Sequence, residues 1–442
     1  MTSIGALLTV LFCLAVMVLP RRLAIIGVVA SALYITQGQE LDVGGINMTA
    51  IRFVEMAIAI RVLMRKEVKT IKMAAPDYFL LLSFFVYMLV TFFRTGLIDW
   101  YTIGLAVDGS LIYFSFRALI QTPEEFTHLI KGMAFLLVPF SLLMLQEALT
   151  GRNFFAFMGE VPETPVYRDG YFRCQGSFRH AITAGTLGAT FIPIFIGLLV
   201  KKNDHLWGFL GTAACLIIVI TSHSSGPLMA TIVAFAAWSC WFIRRHTKWI
   251  KLIIICLILL IHFMMKAPVW YIFDRISGII GGDGWHRSNL IDKFIKSFDE
   301  WWMVGMPMEK TVNWAATVTK FGTADLTNHY VSLGINGGLI SLVIFLVMLM
   351  ATFRLIGLAL QSLRIGTSRQ SSFAPLLWGV GGSVSVHAIN LTAVSYWDQS
   401  YVIWYLHLAV AVTLGNYFLK TSEVIERRKV KPQTSIALKK SI

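Results

Sequence analysis

Apolar residues occur in this chain in runs of membrane length that alternate with short polar segments. A transmembrane helix needs about 20 mostly apolar residues, and somewhat fewer where the bilayer thins. The pattern predicts thirteen membrane-spanning helices, or twelve if the short second run is re-entrant; the runs are 4–19, 23–36, 49–64, 77–94, 101–119, 129–148, 181–200, 206–221, 227–243, 249–266, 331–353, 373–393 and 400–419.

Two longer polar segments interrupt this pattern, at Thr150 to His180 and Ala267 to Asn328. The second contains acids, two arginines and one histidine among five tryptophans. Because connecting loops carry function more often than their scaffold, we expect the chemistry in these segments. We therefore expect one integral membrane domain over residues 1–442, with loops at 150–180 and 267–330, the second carrying the active site, and a basic tail at 420–442.

Composition places the chain among membrane proteins. Hydrophobic residues make up 56% and charged residues 14%, and the mean hydropathy is +0.69. Soluble domains have roughly a quarter charged residues. The expected fold class is an all-α polytopic membrane protein with the bilayer as its surroundings.

The net charge of +14 comes mainly from short basic clusters between the apolar runs. With thirteen spans, all of these clusters fall on one side, which the positive-inside rule makes the cytoplasmic side. Nucleic-acid binding is therefore not expected. The clusters are Arg21-Arg22, Arg65 to Lys72, Lys201-Lys202, Arg244-Arg245 with Lys248, Arg354 to Arg369 and Arg427-Arg428-Lys429.

The sequence lacks the motifs that are typical of several enzyme classes. Four of the five cysteines lie in apolar runs, so neither a disulfide framework nor a Cys-x-x-Cys metal site is expected. There is no GxSxG, Walker or HExxH motif. We expect no metal and no cofactor, and a transferred sugar would have to arrive already attached to a lipid.

Arginines beside the apolar runs are candidates for binding phosphate, because a guanidinium keeps its charge and binds phosphate bidentately. Arg173 and Arg179 flank a Gly-Ser turn just before a predicted span, and Arg287 follows the turn at 281–284. Arg275 is a weaker candidate. The alternative is that such arginines reach lipid headgroups.

Histidines near the same boundaries are candidates for proton transfer. His329 follows Asp325 and Asn328 and immediately precedes an apolar run. A histidine there can accept a proton from a hydroxyl near neutral pH, although a lone interfacial histidine is more often structural. Four further residues are expected to bind the acceptor or line the same cavity: His180, His223, His286 and Asn328.

Other residues in these segments have a structural interpretation. Trp301 and Trp302 are expected to be interfacial anchors rather than sugar platforms. Arg52 and Glu55, three residues apart inside the third run, are expected to pair with each other.

Several motifs together resemble the O-antigen ligase and Wzy-type polysaccharide polymerase family. They are Gly176-Ser177-Phe178-Arg179-His180 with Gly185 and Gly188, the Ser-Ser-Gly turn at 224–226, and Asn328-His329-Tyr330 with Gly334, Gly337 and Gly338. Three segments look most like the exopolysaccharide polymerase branch: Trp285-His286-Arg287, Trp301 to Gly305 and Asp325 to Asn328. The family often has His-Pro-Asn at His180-Ala181-Ile182 and His-Asn at Asn328-His329.

The resemblance implies a GT-C-like, metal-independent, inverting glycosyltransferase of the bacterial inner membrane. Its donor would be an undecaprenyl-diphosphate-linked oligosaccharide on the periplasmic face, and its further partners would be chain-length regulators or export proteins. Arg173, Arg179 and Arg287 would hold the diphosphate, helped by Arg275. His329 would be the base, with Asp325 orienting it or replacing it.

Three functions remain open at this point. A polymerase joins lipid-linked repeat units, and a ligase passes the glycan to a lipid A core through nearly the same residues. A flippase of lipid-linked sugar is a different class, which would hold ionisable groups near the bilayer midplane. The ionisable residues concentrate in one outer loop, which argues against the flippase, and the polymerase is favoured.

Overall fold

The chain is built almost entirely from helices. A computed structural model describes residues 1–201, 203–280, 283–314, 324–365 and 368–439. Its α-helices are α1 (Ser3–Val18), α2 (Arg21–Tyr34), α3 (Ala50–Met64), α4 (Ala75–Thr95), α5 (Trp100–Leu119), α6 (Pro123–Thr150), α7 (Ala181–Leu199), α8 (His205–Thr221), α9 (Ser225–Ser239), α10 (Thr247–Met264), α11 (Ile272–Ile280), α12 (Gly284–Lys296), α13 (Phe298–Trp301), α14 (His329–Ile365), α15 (Ser368–Ser371), α16 (Ala374–Asn390) and α17 (Gln399–Lys439).

Short strands and 3₁₀ turns fill part of the connections. Two antiparallel hairpins are formed by β1 (Glu40–Val43) with β2 (Ile46–Thr49) and by β3 (Val166–Arg168) with β4 (Tyr171–Arg173). The 3₁₀ turns are Glu67–Thr70, Phe154–Met158, Arg244–His246, Val269–Tyr271 and Met308–Trp314.

Each of the thirteen apolar runs contains a helix, but fewer helices meet the length and composition expected of a membrane span. Among the described residues five do so, and the pair Ile255–Met264 and Val269–Ser277, bent by 89°, is a sixth candidate. Several of the other apolar helices, such as Ser3–Val18, are shorter. The chain is therefore an all-α membrane protein, and the exact number of spans stays a prediction.

Large apolar side chains cover the outer surface of the helix bundle. Leu7, Phe85, Phe93 and Phe263 are each more than half exposed. An apolar surface of this extent needs lipid around it rather than water.

Two of the basic clusters lie at one end of the bundle. Arg21 pairs with Glu125 at the start of α6. Lys201 bonds Thr127 in the same turn of α6 and lies 4.6 Å over the ring of Phe373 at the start of α16. We call this the basic end, and the opposite end, which carries the β3–β4 hairpin and helices α11 to α13, the site end.

Helix α14 reverses direction at Gly338, whose φ of 67° and ψ of 178° are not helical. In a straight helix, residues 329 and 345 would lie roughly 24 Å apart along the axis. The rings of His329 and Phe345 instead have centroids 5.3 Å apart. The segment before Gly338 therefore dips into the bundle beside the long segment that follows it, and it places His329 below the surface of the site end.

The reversal is held by backbone groups of the polar segment. Leu339 N–H donates to Trp302 O at 2.8 Å, and Met306 N–H donates to Ile335 O at 2.8 Å. Arg94, at the end of α4, donates to the carbonyl oxygens of residues 335 and 336 at 3.1 and 2.9 Å. These bonds use polar groups that the broken helix leaves without intrahelical partners.

The polar segment 267–328 is mostly helical where it is described, and it has a small core of its own. Trp301 is 2% exposed, stacks on Phe294 at 3.9 Å and donates its Nε1–H to Phe294 O at 2.7 Å. The expectation that Trp301 is an interfacial anchor was therefore wrong, because its ring fills this core. Trp302, 42% exposed, remains available at the surface.

Candidate functional site

Arg173 lies beside the N-terminus of α9 at the site end. Cys174 N–H donates to Thr221 O at 3.0 Å, which fixes strand β4 against the end of α8. The Arg173 Nη2 then donates to Ser224 Oγ at 3.0 Å, while its buried Nε has no partner among the described residues. Burial, and then Arg168, lower the pKa of Arg173. It is a charged donor that is only partly used by the protein.

Arg287 lies near the same helix terminus. It lies one turn into α12, which begins at the side-chain cap of Asp283. Its guanidinium lines a cavity of about 50 Å³ with Gly226 and the end of α16, and Nη2 would lie 3.7 Å from a Cβ at Gly226. None of the hydrogen bonds or ion pairs found among the described residues involves this guanidinium. Burial lowers its pKa, and Asp283 partly offsets that effect.

Both arginines therefore lie at the start of α9, Arg173 beside Ser224 and Arg287 beside Gly226. The unpaired N–H groups in the first turn of a helix favour anions, and the helix dipole adds to that preference. Helix α7 begins nearby, since Ile182 in its first turn lies against the same glycine, Gly226. The arrangement suits a bound anion such as a phosphate group.

Two histidines, His180 and His223, lie near Arg173. His180 caps α7, its Nδ1 accepting from Ile182 N–H at 3.2 Å. Burial and Arg173 lower the pKa of His180, and Asp325 opposes that shift. In the tautomer that accepts this bond at Nδ1, His180 carries a proton on Nε2 and can donate a hydrogen bond from it. His223 has a φ of 39° and stacks on Tyr171 at 4.5 Å, and burial and Arg173 lower its pKa.

His286 and Asp325 are joined to each other. The Nε2–H of His286 donates to the backbone oxygen of Asp325 at 3.1 Å, and its buried Nδ1 has no partner among the described residues. The Asp325 side chain is exposed. The expected contact between Asp325 and His329 is not among the hydrogen bonds that the structure shows; the electrostatic neighbour of Asp325 is His180.

His329 lies below the site end, at the start of α14. Asn328 caps the short segment of α14 by accepting from the N–H groups of Tyr330 and Val331 at 3.0 and 3.2 Å. His329 N–H donates to Leu391 O at 2.8 Å, within the 389–393 stretch that also borders the Arg287 cavity. In the described part of the chain its ring nitrogens make no hydrogen bond, so one lone pair is available.

Two of the predicted diphosphate ligands are not part of this arrangement. Arg179 donates to Gln37 O at 2.7 Å and Glu40 Oε1 at 2.9 Å, and its Nε lies 3.3 Å from Asp398 Oδ2. Its charge is therefore already matched by two carboxylates. Burial raises the pKa of Asp398 to about 6, although Arg179 opposes that rise. Arg275 is exposed on α11 and has no described polar contact.

The sequence analysis missed a buried polar network in α16 and α17. His387 Nε2 lies 2.9 Å from His407 Nδ1, and His387 Nδ1 lies 2.7 Å from the Tyr396 hydroxyl. Asn390, which borders the Arg287 cavity, donates to Thr186 Oγ1 at 2.8 Å. The two histidines are fully buried. A histidine within an apolar run was the available signal, since ionisable groups are costly in lipid.

The predicted pairing of Arg52 with Glu55 was also wrong. Arg52 pairs with Asp108 at 2.8 Å, and Glu55 accepts from the Tyr401 hydroxyl at 2.7 Å. These partners come from α5 and α17, which the sequence alone does not place beside α3.

No group of three or more His, Cys, Asp or Glu side chains that would suit a metal ion occurs in the described residues. No family model matches the sequence, and none of the curated proteins matches it. The function is therefore inferred from the residues themselves.

Proposed function

We propose that this protein is an inverting membrane glycosyltransferase that joins undecaprenyl-diphosphate-linked repeat units into a polysaccharide. The observation that carries the proposal is the guanidinium of Arg287, which is partly buried, makes no described hydrogen bond or ion pair and lies beside the first turn of α9. A partly buried cation that makes no direct pair is costly unless a ligand supplies more opposite charge. Arg173, which bonds Ser224 at the start of the same helix, provides a second charged donor.

The diphosphate would lie between these two arginines, across the N-terminus of α9. In the reaction, an acceptor hydroxyl oxygen bonds to the anomeric carbon of the donor sugar while the bond from that carbon to the phosphate oxygen breaks. The hydroxyl proton passes to a base, and undecaprenyl diphosphate leaves with the bonding electrons. Arg173 and Arg287 stabilise the charge that develops on the leaving oxygen, which is work that a metal ion does in other enzymes.

His329 is the favoured base. Its ring nitrogens have no hydrogen bond within the described residues, and the fold places it next to the stretch that borders the Arg287 cavity. His180 is less suited, because its Nδ1 lone pair is already used by Ile182 N–H. Its Nε2–H would instead donate to the diphosphate or to the acceptor. Asp325, close to His180, would orient the acceptor.

The polyprenyl tail would lie on the lipid-facing surface that begins at the Arg287 cavity. Met229 of α9 and Ile389 and Ala393 at the end of α16 form its apolar side. Ile389 is exposed to the surroundings of the bundle, so a lipid chain can enter from the bilayer without passing through the protein.

A ligase would use the same donor site and differ only in its acceptor. A flippase is the other alternative, and the buried pair of His387 and His407 favours it, since such pairs mark proton pathways in transporters. The polymerase remains preferred, because the cations and the candidate base converge at one end of the bundle rather than at its middle.

The experiment compares Arg287→Ala with Arg275→Ala, which removes an exposed arginine from the same polar segment. Each variant replaces the native gene, its abundance is measured, and polymer and lipid-linked glycan are resolved on gels. We expect Arg287→Ala to reduce polymer about 100-fold, as loss of a transition-state donor does, and to leave single repeats on lipid. Arg275→Ala should behave like wild type.

Arg287→Lys tests the geometry of the contact. A lysine keeps the charge but loses the bidentate fork, so we expect partial recovery only. Normal polymer from Arg287→Ala protein at normal abundance would refute the role of this residue. Long chains stranded on undecaprenyl diphosphate after gene deletion would establish the ligase, and repeats trapped on the inner leaflet would establish the flippase.

A further inference from the structure

A large cavity lies at the basic end, away from the candidate site. It has a volume of about 970 Å³ and lies between the end of α9, the second half of α14 and α16. Its walls include Met350, Ile356, Trp378 and Gly381. The two cavities share no lining residue: on α16 this one ends at Ser385 and the Arg287 cavity begins at Ile389, roughly 6 Å further along the helix. The two cavities are therefore separate sites.

Arginines form the rim of this cavity. Arg244 lies with its guanidinium 3.9 Å over the ring of Trp241, and Arg364 donates to Arg244 O at 3.2 Å. Arg354, which is exposed, has no hydrogen bond or ion pair among the described residues. The cavity thus combines apolar walls with a cationic rim, and its polar groups are mostly donors.

Small residues keep the cavity open. A Cβ at Gly357 would meet no described atom within 4 Å, and a Cβ at Gly381 would meet only Ile356, at 3.4 Å. Both glycines line the cavity, and both lie within helices. Glycine costs a helix up to about 1 kcal/mol relative to alanine. The glycines at these positions therefore leave open space, and close neighbours do not explain why glycine occurs there.

We infer that this cavity binds one anionic phospholipid from the leaflet at the basic end. The headgroup phosphate would lie among Arg354, Arg364 and Arg244, and one acyl chain would enter the apolar cavity past Gly357. Charge decides the class of lipid: three guanidinium groups at one opening favour an anionic headgroup over a zwitterionic one. The apolar walls indicate that the ligand also carries an apolar chain, because a free phosphate would leave the cavity empty. This inference does not rest on the proposed glycosyltransferase activity.

Native mass spectrometry of the full-length protein in detergent tests the site, with phosphatidylglycerol and phosphatidylcholine titrated separately. We expect one phosphatidylglycerol to bind roughly fivefold or more tightly than phosphatidylcholine. Arg354→Ala should weaken phosphatidylglycerol roughly fivefold. Gly357→Trp should prevent binding by filling the cavity, with little change in thermal stability because the space there is open.

Arg22→Ala is the matched control, since Arg22 is an exposed arginine at the same end and does not line the cavity. It should bind phosphatidylglycerol like wild type. The inference is overturned if Arg22→Ala weakens binding as much as Arg354→Ala, or if folded Gly357→Trp protein keeps the wild-type affinity. It is also overturned if inorganic phosphate alone competes fully, or if the lipid that copurifies at this site is a polyprenyl lipid.

Discussion

Replacing Gly338 by alanine should destabilise the protein far more than any other glycine-to-alanine change in α14. The backbone at Gly338, with φ of 67° and ψ of 178°, lies in a region that is essentially restricted to glycine. A Cβ there would lie 2.5 Å from Met303 O and 3.2 Å from Trp302 O. Both contacts are with backbone, so the side chain cannot avoid them by rotating.

The expected cost has two parts. Holding alanine in this conformation costs about 1–3 kcal/mol. Moving the 302–303 backbone aside weakens the bond from Leu339 N–H to Trp302 O and the bond from Met306 N–H to Ile335 O, at about 1 kcal/mol each. Together these give roughly 3–5 kcal/mol, which is a large part of the stability of a typical protein.

The assay is reversible unfolding of the purified protein in mixed micelles, followed by tryptophan fluorescence. Gly357→Ala in the same helix is the control, because its Cβ would meet nothing and alanine is the better helix former. It should be neutral or stabilising by up to about 1 kcal/mol. If the two variants unfold with the same free energy, the reversal of α14 at Gly338 is refuted, and so is the position that it gives His329.

Three further predictions concern groups that the structure pairs. The pKa of Asp398 is raised to about 6, above about 3.9 for an unfolded chain, so its contribution to the free energy of unfolding is complete below pH 4 and is lost as pH rises through 6. Asp398→Asn should remove up to about 2–3 kcal/mol of this pH dependence, and parallel stability curves for variant and wild type from pH 4 to 7.5 would refute it. Arg179→Ala should lower stability by at most about 1 kcal/mol, because its ion pairs are partly exposed. It should leave the donor KM unchanged in a turnover assay, and a tenfold higher KM would show that Arg179 binds donor. His387→Phe should cost about 1–3 kcal/mol by removing the histidine partner of the Tyr396 hydroxyl, which keeps only the 3.4 Å bond from Asn390 Nδ2, and adding Tyr396→Phe should recover part of it; additive losses would mean that the pair does not interact.

The helices were predictable because each apolar run is long and contains few polar residues. The turn at 222–226 and the start of α12 were also predictable, since serine, glycine and aspartate before apolar residues mark such boundaries. The arginines and histidines of the polar segments were found by residue type alone. Of these, Arg173, Arg287, His180 and His286 lie together at the site end.

What the sequence did not show depends on contacts between distant helices. Nothing near Arg179 in the chain indicates that Glu40 and Asp398 will meet its charge. The reversal at Gly338 depends on backbone groups of the polar segment, so the glycines there looked like a motif rather than a turn. The histidines of α16 and α17 are 20 residues apart, and each looks isolated in its own apolar run.

The most direct test of the central claim is a reaction with purified protein reconstituted in liposomes and one substrate, the undecaprenyl-diphosphate-linked repeat unit. A polymerase should lengthen the glycan in single-repeat steps and release one undecaprenyl diphosphate for each bond formed, without added metal, and Arg287→Ala protein should do neither. Movement of the intact substrate across the bilayer, with no new glycosidic bond and no released undecaprenyl diphosphate, would contradict the account.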